Sequence, residues 1–496
     1  MPAVSRGAES ASAPARRRVL EAALATAALW YLGSYLVVAL ARVAYPYDLE
    51  WMEGGVLEHV ARVLHGQPLY VPPSLEFTPY IYAPLYYYVG ALFAKLFGLR
   101  LLALRMVSIL ASVGVLGLIA ALTHARTRSR LGALVAAGLF AALFKRADAF
   151  FDLARVDSLA LFFLLFALWM LLANERREVA ASVLFAAAFF TKQSLLLVVL
   201  PVTLARAWSL RGPRRFACIG CFGALAAAGS LALHLRTQGW STYYMFSLPG
   251  SHAWAREFWL RYWYRDLLAV VPIAMAAAAL RLAGTRQIPA ASLLERAAVL
   301  GSLLESWLSR LHGYAAANVL MPVYACLAWQ TGVALGWLDG PAPAPATRRL
   351  ARWACLAQLA LLVFPTWRLV PTAADREAGA ALVARLAAVP GPVLIPAHPH
   401  LARLAGKRTY AQQMAVVDVM RGRPRQVADA LAADIRRRLR AREFAAVILD
   451  LDQDWLEPDL DASYVPAQAL FAGQPTVFWP KTGWLTRPRV VYERRP

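Results

Sequence analysis

Cysteine is scarce in this sequence, and acid is outnumbered by base. Among 496 residues there are four cysteines, Cys218, Cys221, Cys326 and Cys355. All lie inside apolar runs, so no disulfide framework is implied. Cys218 and Cys221 form a CxxC, but the pair opens an apolar segment, where packing explains it more simply than redox or metal chemistry. Asp and Glu number 30 against 52 Lys and Arg, a formal charge of +22. No basic face with interleaved aromatics occurs outside short loops, which excludes nucleic acid as a partner. Residues 373–496 contain no P-loop, no GxGxxG and no GxSxG, so no nucleotide cradle or nucleophile elbow is expected there. There is no convincing internal repeat, which counts against an inverted-repeat transporter.

What the chain has in abundance is apolar residues, 59% of the total, against roughly 45–50% in soluble domains. They gather in long runs, so the fold class is a polytopic α-helical membrane protein. Eleven segments are expected, at about 19–42, 101–124, 131–146, 158–173, 179–191, 194–209, 216–235, 265–283, 296–308, 318–338 and 352–369. Even-numbered exits carry arginine clusters, while odd-numbered exits carry acids, aromatics and histidines. That asymmetry puts the arginines in the cytoplasm. Residues 1–18 read as a disordered cytoplasmic N-terminus ahead of an uncleaved anchor. Residues 373–496 read as a small extracytoplasmic α/β domain, with strands at 392–397 and 445–451 and a basic helix at 425–442. The run Asp450, Asp452, Asp454 has a metal-like spacing, but Trp455 stands where a calcium loop needs glycine.

Residues 43–98 form the first extracytoplasmic loop and hold four carboxylates, Asp48, Glu50, Glu53 and Glu58. Apolar spacing from Trp51 to Leu64 predicts an amphipathic helix, ended by Gly66 and Pro68 and lying flat in the membrane interface. Glu58, His59 and Arg62 read as its solvated face. Asp48, Glu50 and Glu53 follow a membrane exit among aromatics, where a carboxylate pKa can rise and the group can act as a base. A second cluster is Arg146, Asp148, Asp152, Arg155 and Asp157, dense enough to suggest internal ion pairs. Lys192 and Gln193 interrupt two apolar runs, and a lysine there suits a phosphate. Arg310, His312 and Asn318 form the last cluster. All are expected on one face of the membrane.

The motifs MEGG, HGQPLY and APLYYYVGALFAKLFG, then LARVDSLALFF, FFTKQSLLL and GYAAANVLMPVYA, resemble in order the GT-C membrane glycosyltransferases of the protein O-mannosyltransferase and lipid A aminoarabinose-transferase type. The resemblance covers about residues 19–370. It implies a bacterial inner-membrane enzyme that moves a sugar, with inversion, from a polyprenyl-phosphate donor to an extracytoplasmic glycan, lipid or protein acceptor. No cofactor is required, although some members use a divalent cation; no protein-bound metal site is implied. Glu53 and Gly54 fall at the family's E-G, while Met52 replaces the usual aspartate. The base is therefore one of Glu53, Glu50 and Asp48, with Asp157 in the second acidic motif supporting it. Lys192, Arg155, Arg310 and Gln193 are the candidates for the donor phosphate, and Tyr86, Tyr87, His312 and Asn318 for the acceptor. The other classes are a transporter or flippase of a lipid-linked sugar, and an inactive scaffold whose outer domain binds a partner.

Overall fold

The protein was analysed as a computed structural model that describes residues 6–173, 177–340, 342–450 and 456–496. Helix α1 spans Arg6–Arg42, so the stretch expected to be disordered is helical from Arg6 onward. The remaining helices of the first half are α2 Glu53–Leu64, α3 Leu85–Phe97, α4 Leu101–Thr127, α5 Arg130–Ala142, α6 Asp157–Ala173, α7 Glu178–Thr191, α8 Leu196–Ser209 and α9 Ala217–Arg236. The Leu293–Leu311 and Met321–Leu338 helices complete the bundle. Local chemistry fixes the ends: Ser129 caps α5 by accepting from the Gly132 N–H, and Ser292 with Glu295 forms a capping box at the start of Leu293–Leu311.

Among the described residues, four helices are long and apolar enough to cross a membrane: Arg17–Arg42, Leu101–Thr127, Pro213–Arg236 and Ala317–Leu338. The expected eighth segment is broken instead. Phe258–Leu268 and Pro272–Ala283 meet at 96°, as a proline at a helix start allows. The other apolar segments are shorter helices packed against the long ones. In place of the expected eleventh segment there is an α-helix over Pro345–Ala360 and, after a break, a 3-10 turn over Thr366–Leu369.

The C-terminal unit is built on a four-stranded sheet of order β1-β2-β4-β3, with β1 Val393–Leu394, β2 Ala446–Leu449, β3 Tyr464–Ala469 and β4 Val490–Arg494. β1 and β2 are parallel, joined through the Arg425–Arg440 helix among others, and the remaining pairs are antiparallel. β3 and β4 are absent from the sequence reading; in β3 Pro466 masks the strand. An edge strand tolerates that proline, and the ladder slips between Pro466 and Gln468. Asp450 is buried at the end of β2, while Asp452 and Asp454 lie outside the described residues.

Helix α2 does not lie open in an interface. Residues Glu53 through Ala61 are all buried, because the C-terminal unit covers the polar face. Glu58 accepts from both Arg403 Nε and Nη2, at 2.7 and 2.5 Å, and from Thr409 Oγ1 at 2.7 Å. His59 is stacked between Tyr80 and Tyr87 at 4.6 and 4.8 Å. Its Nδ1 donates to Gly55 O and its Nε2 accepts from Tyr80 N. Burial pushes that imidazole down to about 3, so it is neutral. Gly54 is needed where α2 meets this unit, since a Cβ would stand 2.6 Å from His400 Cβ.

Candidate active site

A single cavity of about 750 Å³ collects residues from widely separated parts of the chain. The loop after α1 supplies Glu50, Trp51 and Met52. The segment before α6 supplies Asp148, Phe150 and Arg155. Lys192, Gln193, Arg310, His312 and Asn318 come from helix ends. Met414, Asp418, Gly483 and Trp484 come from the C-terminal unit.

Glu50 is the one of the three candidate bases that lines this cavity. Its Oε2 accepts from Arg155 Nη1 at 3.1 Å and from the Met52 N–H at 3.3 Å. Burial lifts its carboxyl to about 7, against the opposing pull of Arg155 and with help from Glu53 and Asp48. Arg155 also donates from Nη2 to Tyr82 Oη at 2.8 Å, which orients the guanidinium.

Glu53 has a different place. It is fully buried and forms a two-pronged pair with Arg105, Nε to Oε1 at 2.9 Å and Nη2 to Oε2 at 2.6 Å. The N–H groups of Leu49 and Ala154 complete its shell, each at 2.8 Å. Burial alone would raise its pKa, but Arg105 and these donors hold it below the ordinary value. Arg105 in turn binds the carbonyls of Tyr45 and Tyr47. The pair thus ties α4 to both flanks of the Glu50 loop, a scaffold position with no free proton acceptor. Arg105→Ala leaves an unpaired buried carboxylate and is expected to destabilise the fold by about 3–5 kcal/mol. Thermal unfolding in detergent, with Arg105→Ala against Glu53→Gln/Arg105→Met, measures it; equal melting of wild type and Arg105→Ala contradicts the assignment.

Asp48 is turned away toward the C-terminal unit. His398 sits between two acids, with Nδ1 3.0 Å from Asp48 Oδ2 and Nε2 2.8 Å from Asp450 Oδ2. Thr486 Oγ1 donates to the same Asp450 oxygen at 2.6 Å. Burial lowers the imidazole pKa, but Asp450 and Asp48 outweigh it and lift it to about 10. Below about 6.5 the unfolded histidine is protonated as well, so this stabilisation is complete there. Above 6.5 the unfolded chain releases a proton that the folded one keeps, so stability falls until about pH 10. Melting temperature is expected to drop across that window in the wild type and to flatten in His398→Gln. An identical slope in both proteins contradicts it.

Asp157 accepts from Lys192 Nζ at 3.0 Å and from Asn318 Nδ2 at 2.9 Å. Lys192 lines the cavity with further ammonium donors available. Arg310 donates to Asp266 Oδ2 at 2.9 Å and to Ala315 O at 2.6 Å, and it stacks over Phe258. Gln193 is occupied: it accepts from Ala83 N and donates to Ile81 O and Met245 O. It fixes the Tyr82 loop and has no amide hydrogen left for a phosphate. Asn318 likewise holds Asp157. His312 Nε2 meets His252 Nδ1 at 2.8 Å, and burial pushes both rings down to about 4. Tyr86 and Tyr87 do not line the cavity. They are buried in the core beneath α2, where Tyr86 Oη donates to Leu104 O.

The second charged cluster pairs outward, not within itself. Asp152 binds Arg42 and Arg155 binds Glu50, while Arg146 is exposed. Asp148 and Ala149 both have φ of +52°, a costly pair for residues with a Cβ. Besides their own backbone bonds to Lys145 O and Phe144 O, three contacts from distant elements hold them: Ala317 N to Asp148 Oδ2 at 2.7 Å, Arg42 Nη2 to Ala149 O at 2.8 Å, and the Thr482 hydroxyl to Asp148 O. Sequence reasoning missed Tyr82, Asp418, Gly483 and Trp484, and no local signal marks them.

The comparisons with known proteins bear on this arrangement. The crystal structure of ArnT from Cupriavidus metallidurans bound to undecaprenyl phosphate superposes with a TM-score of 0.56 at 14% identity, over 94% of this chain and 97% of that one. Its apo state gives 0.57 at the same identity and coverage. The chain has the GT-C glycosyltransferase fold. The similarity spans the C-terminal unit as well as the helices, so the GT-C resemblance reaches beyond residues 19–370. A family model described as dolichyl-phosphate-mannose-protein mannosyltransferase matches residues 81–235. That stretch holds Tyr82, Arg155 and Lys192, which line the cavity, and Asp157, which accepts from Lys192. No curated protein matches the chain by sequence.

Proposed function

We propose that this protein transfers a sugar, with inversion, from a polyprenyl-phosphate donor to a hydroxyl or amine acceptor on the extracytoplasmic side of the bacterial inner membrane. The observation that carries the reading is the meeting of Glu50 with Arg155, Lys192 and Arg310 around one cavity. A buried carboxylate near neutral pKa suits a base, and cations beside it suit a phosphate leaving group. ArnT, which has the same fold, was crystallised with undecaprenyl phosphate, and that supports a polyprenyl-phosphate donor here.

The acceptor proton passes to Glu50 Oε1, which makes no hydrogen bond among the described residues. The freed lone pair attacks the anomeric carbon as the bond from that carbon to the phosphate oxygen breaks. Polyprenyl phosphate leaves with the added negative charge, which Lys192 and Arg310 neutralise. Asp157 and Asn318 hold Lys192 in place. Arg155 keeps Glu50 from rising further in pKa, and Glu53 holds the loop instead of acting on substrate. The chain supplies the charges itself, so no cofactor enters the proposal.

The test is a lipid-linked sugar with a labelled sugar moiety, presented in proteoliposomes together with envelope glycan, lipid and protein acceptors. Labelled acceptor plus free polyprenyl phosphate supports transfer. Donor that crosses the bilayer intact, with no labelled acceptor, makes the protein a flippase.

A further inference from the structure

One stretch of the C-terminal unit follows the Glu50 loop residue by residue. The Phe478 ring meets Tyr47 edge-on, with centroids 5.2 Å apart. The N–H groups of Lys481 and Thr482 both donate to Leu49 O, at 2.8 and 3.2 Å. Gly483 lies on the Glu50 side chain, so that a Cβ there would stand 2.7 Å from Glu50 Cγ. Trp484 packs edge-on against Trp51 at 5.0 Å. The strip is itself anchored, since Lys481 Nζ donates to Asp375 Oδ2 at 2.8 Å and the Phe478 N–H to Asp375 Oδ1 at 2.7 Å. His398 grips the one residue of Tyr47–Trp51 that the strip leaves, Asp48.

We propose that residues 478–484 are a positioning strap for Glu50, so that the C-terminal unit completes the catalytic site instead of serving as a separate docking module. The inference rests on the reading of Glu50 as base. The Tyr47–Trp51 segment has no regular secondary structure to fix it, yet it must hold a carboxylate within a fraction of an ångström of the reacting proton. Main-chain hydrogen bonds to Leu49 set the height of the loop. Gly483 then closes over the methylene of Glu50, which limits its rotamers and keeps water from that side. Only glycine fits, because its φ is +69° and the space is already filled. Trp484 carries the wall onward into the cavity, and the residue is 44% exposed. The charged and titratable groups around Glu50 are Arg155, Glu53, Asp48 and Tyr80, with Tyr82, Asp148, Lys192, Arg310, His312, Tyr314 and Asp418 on the cavity wall. The strap brings Lys481, whose ammonium is bound to Asp375. Its effect on Glu50 is therefore steric and dielectric.

The test compares Gly483→Ala, Trp484→Ala, Trp484→Phe and Glu50→Gln in the full chain, in nanodiscs, with a labelled polyprenyl-phosphate sugar as probe. Gly483→Ala is expected to lose roughly a hundredfold in kcat with little change in donor KM. Trp484→Ala admits water to Glu50, so the acid limb of kcat/KM moves down by roughly one pH unit, and Trp484→Phe restores most of the wild-type profile. If Gly483→Ala fails to fold, as judged by melting, the limb of Trp484→Ala decides alone. An inactive Glu50→Gln beside strap variants with wild-type kcat and limb overturns the strap and leaves the base standing. A fully active Glu50→Gln removes the base reading, and the strap with it.

Discussion

Glu50→Gln is expected to lower transfer by roughly 10²–10⁴-fold, the usual contribution of a positioned general base. The replacement keeps the shape and the Met52 and Arg155 contacts while removing the proton acceptor. Donor binding should persist, so the loss falls on kcat. The wild-type pH profile follows from the same group. Its carboxyl is lifted to about 7 mainly by burial, and the base works only when ionised. kcat/KM should therefore rise with pH through about 7 and fall tenfold per unit below it. Removing the cation in Arg155→Gln takes away a pull that lowers Glu50, so the limb should move to higher pH. A Glu50→Gln enzyme within twofold of wild type, or a limb that stays put in Arg155→Gln, contradicts the assignment.

Lys192→Met is expected to cost roughly 10²–10³-fold in kcat/KM, the effect of removing one donor from a developing oxyanion. Here the oxyanion is the departing phosphate. The loss should appear with polyprenyl phosphate as well, as weaker product inhibition, because the free product carries the full charge. Lys192→Arg keeps the cation and should recover part of both. Asp157 loses its ion pair in the methionine variant, so melting must be followed alongside. A folded Lys192→Met protein with unchanged product inhibition places the phosphate elsewhere.

Much of the helical frame was legible because apolar runs and arginine clusters are local signals. The Arg425–Arg440 helix was legible from its amphipathic period, and strands β1 and β2 from short apolar runs. The site was legible as a set of residue types, not as a geometry. Glu50, Arg155, Lys192, Arg310, His312 and Asn318 all line one cavity, but nothing in the sequence ranks Glu50 above Glu53. What separates them is Arg105, which lies 52 positions beyond Glu53 inside an apolar run. Helix α2 was read as amphipathic, and it is. Its polar face was assigned to water because periodicity does not say what covers a face, and here Arg403 and Thr409 cover it from about 350 residues downstream. Tyr86 and Tyr87 were assigned to the acceptor by resemblance, yet tyrosine also suits a core, and there the Tyr86 hydroxyl donates to Leu104 O. The strap is the extreme case, since residues 478–484 carry no motif and acquire meaning only beside Tyr47–Trp51.

The most direct measurement is a cryo-EM structure of the full chain in nanodiscs with polyprenyl phosphate bound. The account predicts phosphate oxygens within hydrogen-bonding distance of Lys192 Nζ and the Arg310 guanidinium, the prenyl chain leaving between helices, and Glu50 facing the space the sugar has vacated. A phosphate seated outside this cavity, with Glu50 still closed against Arg155 and Gly483, would contradict it.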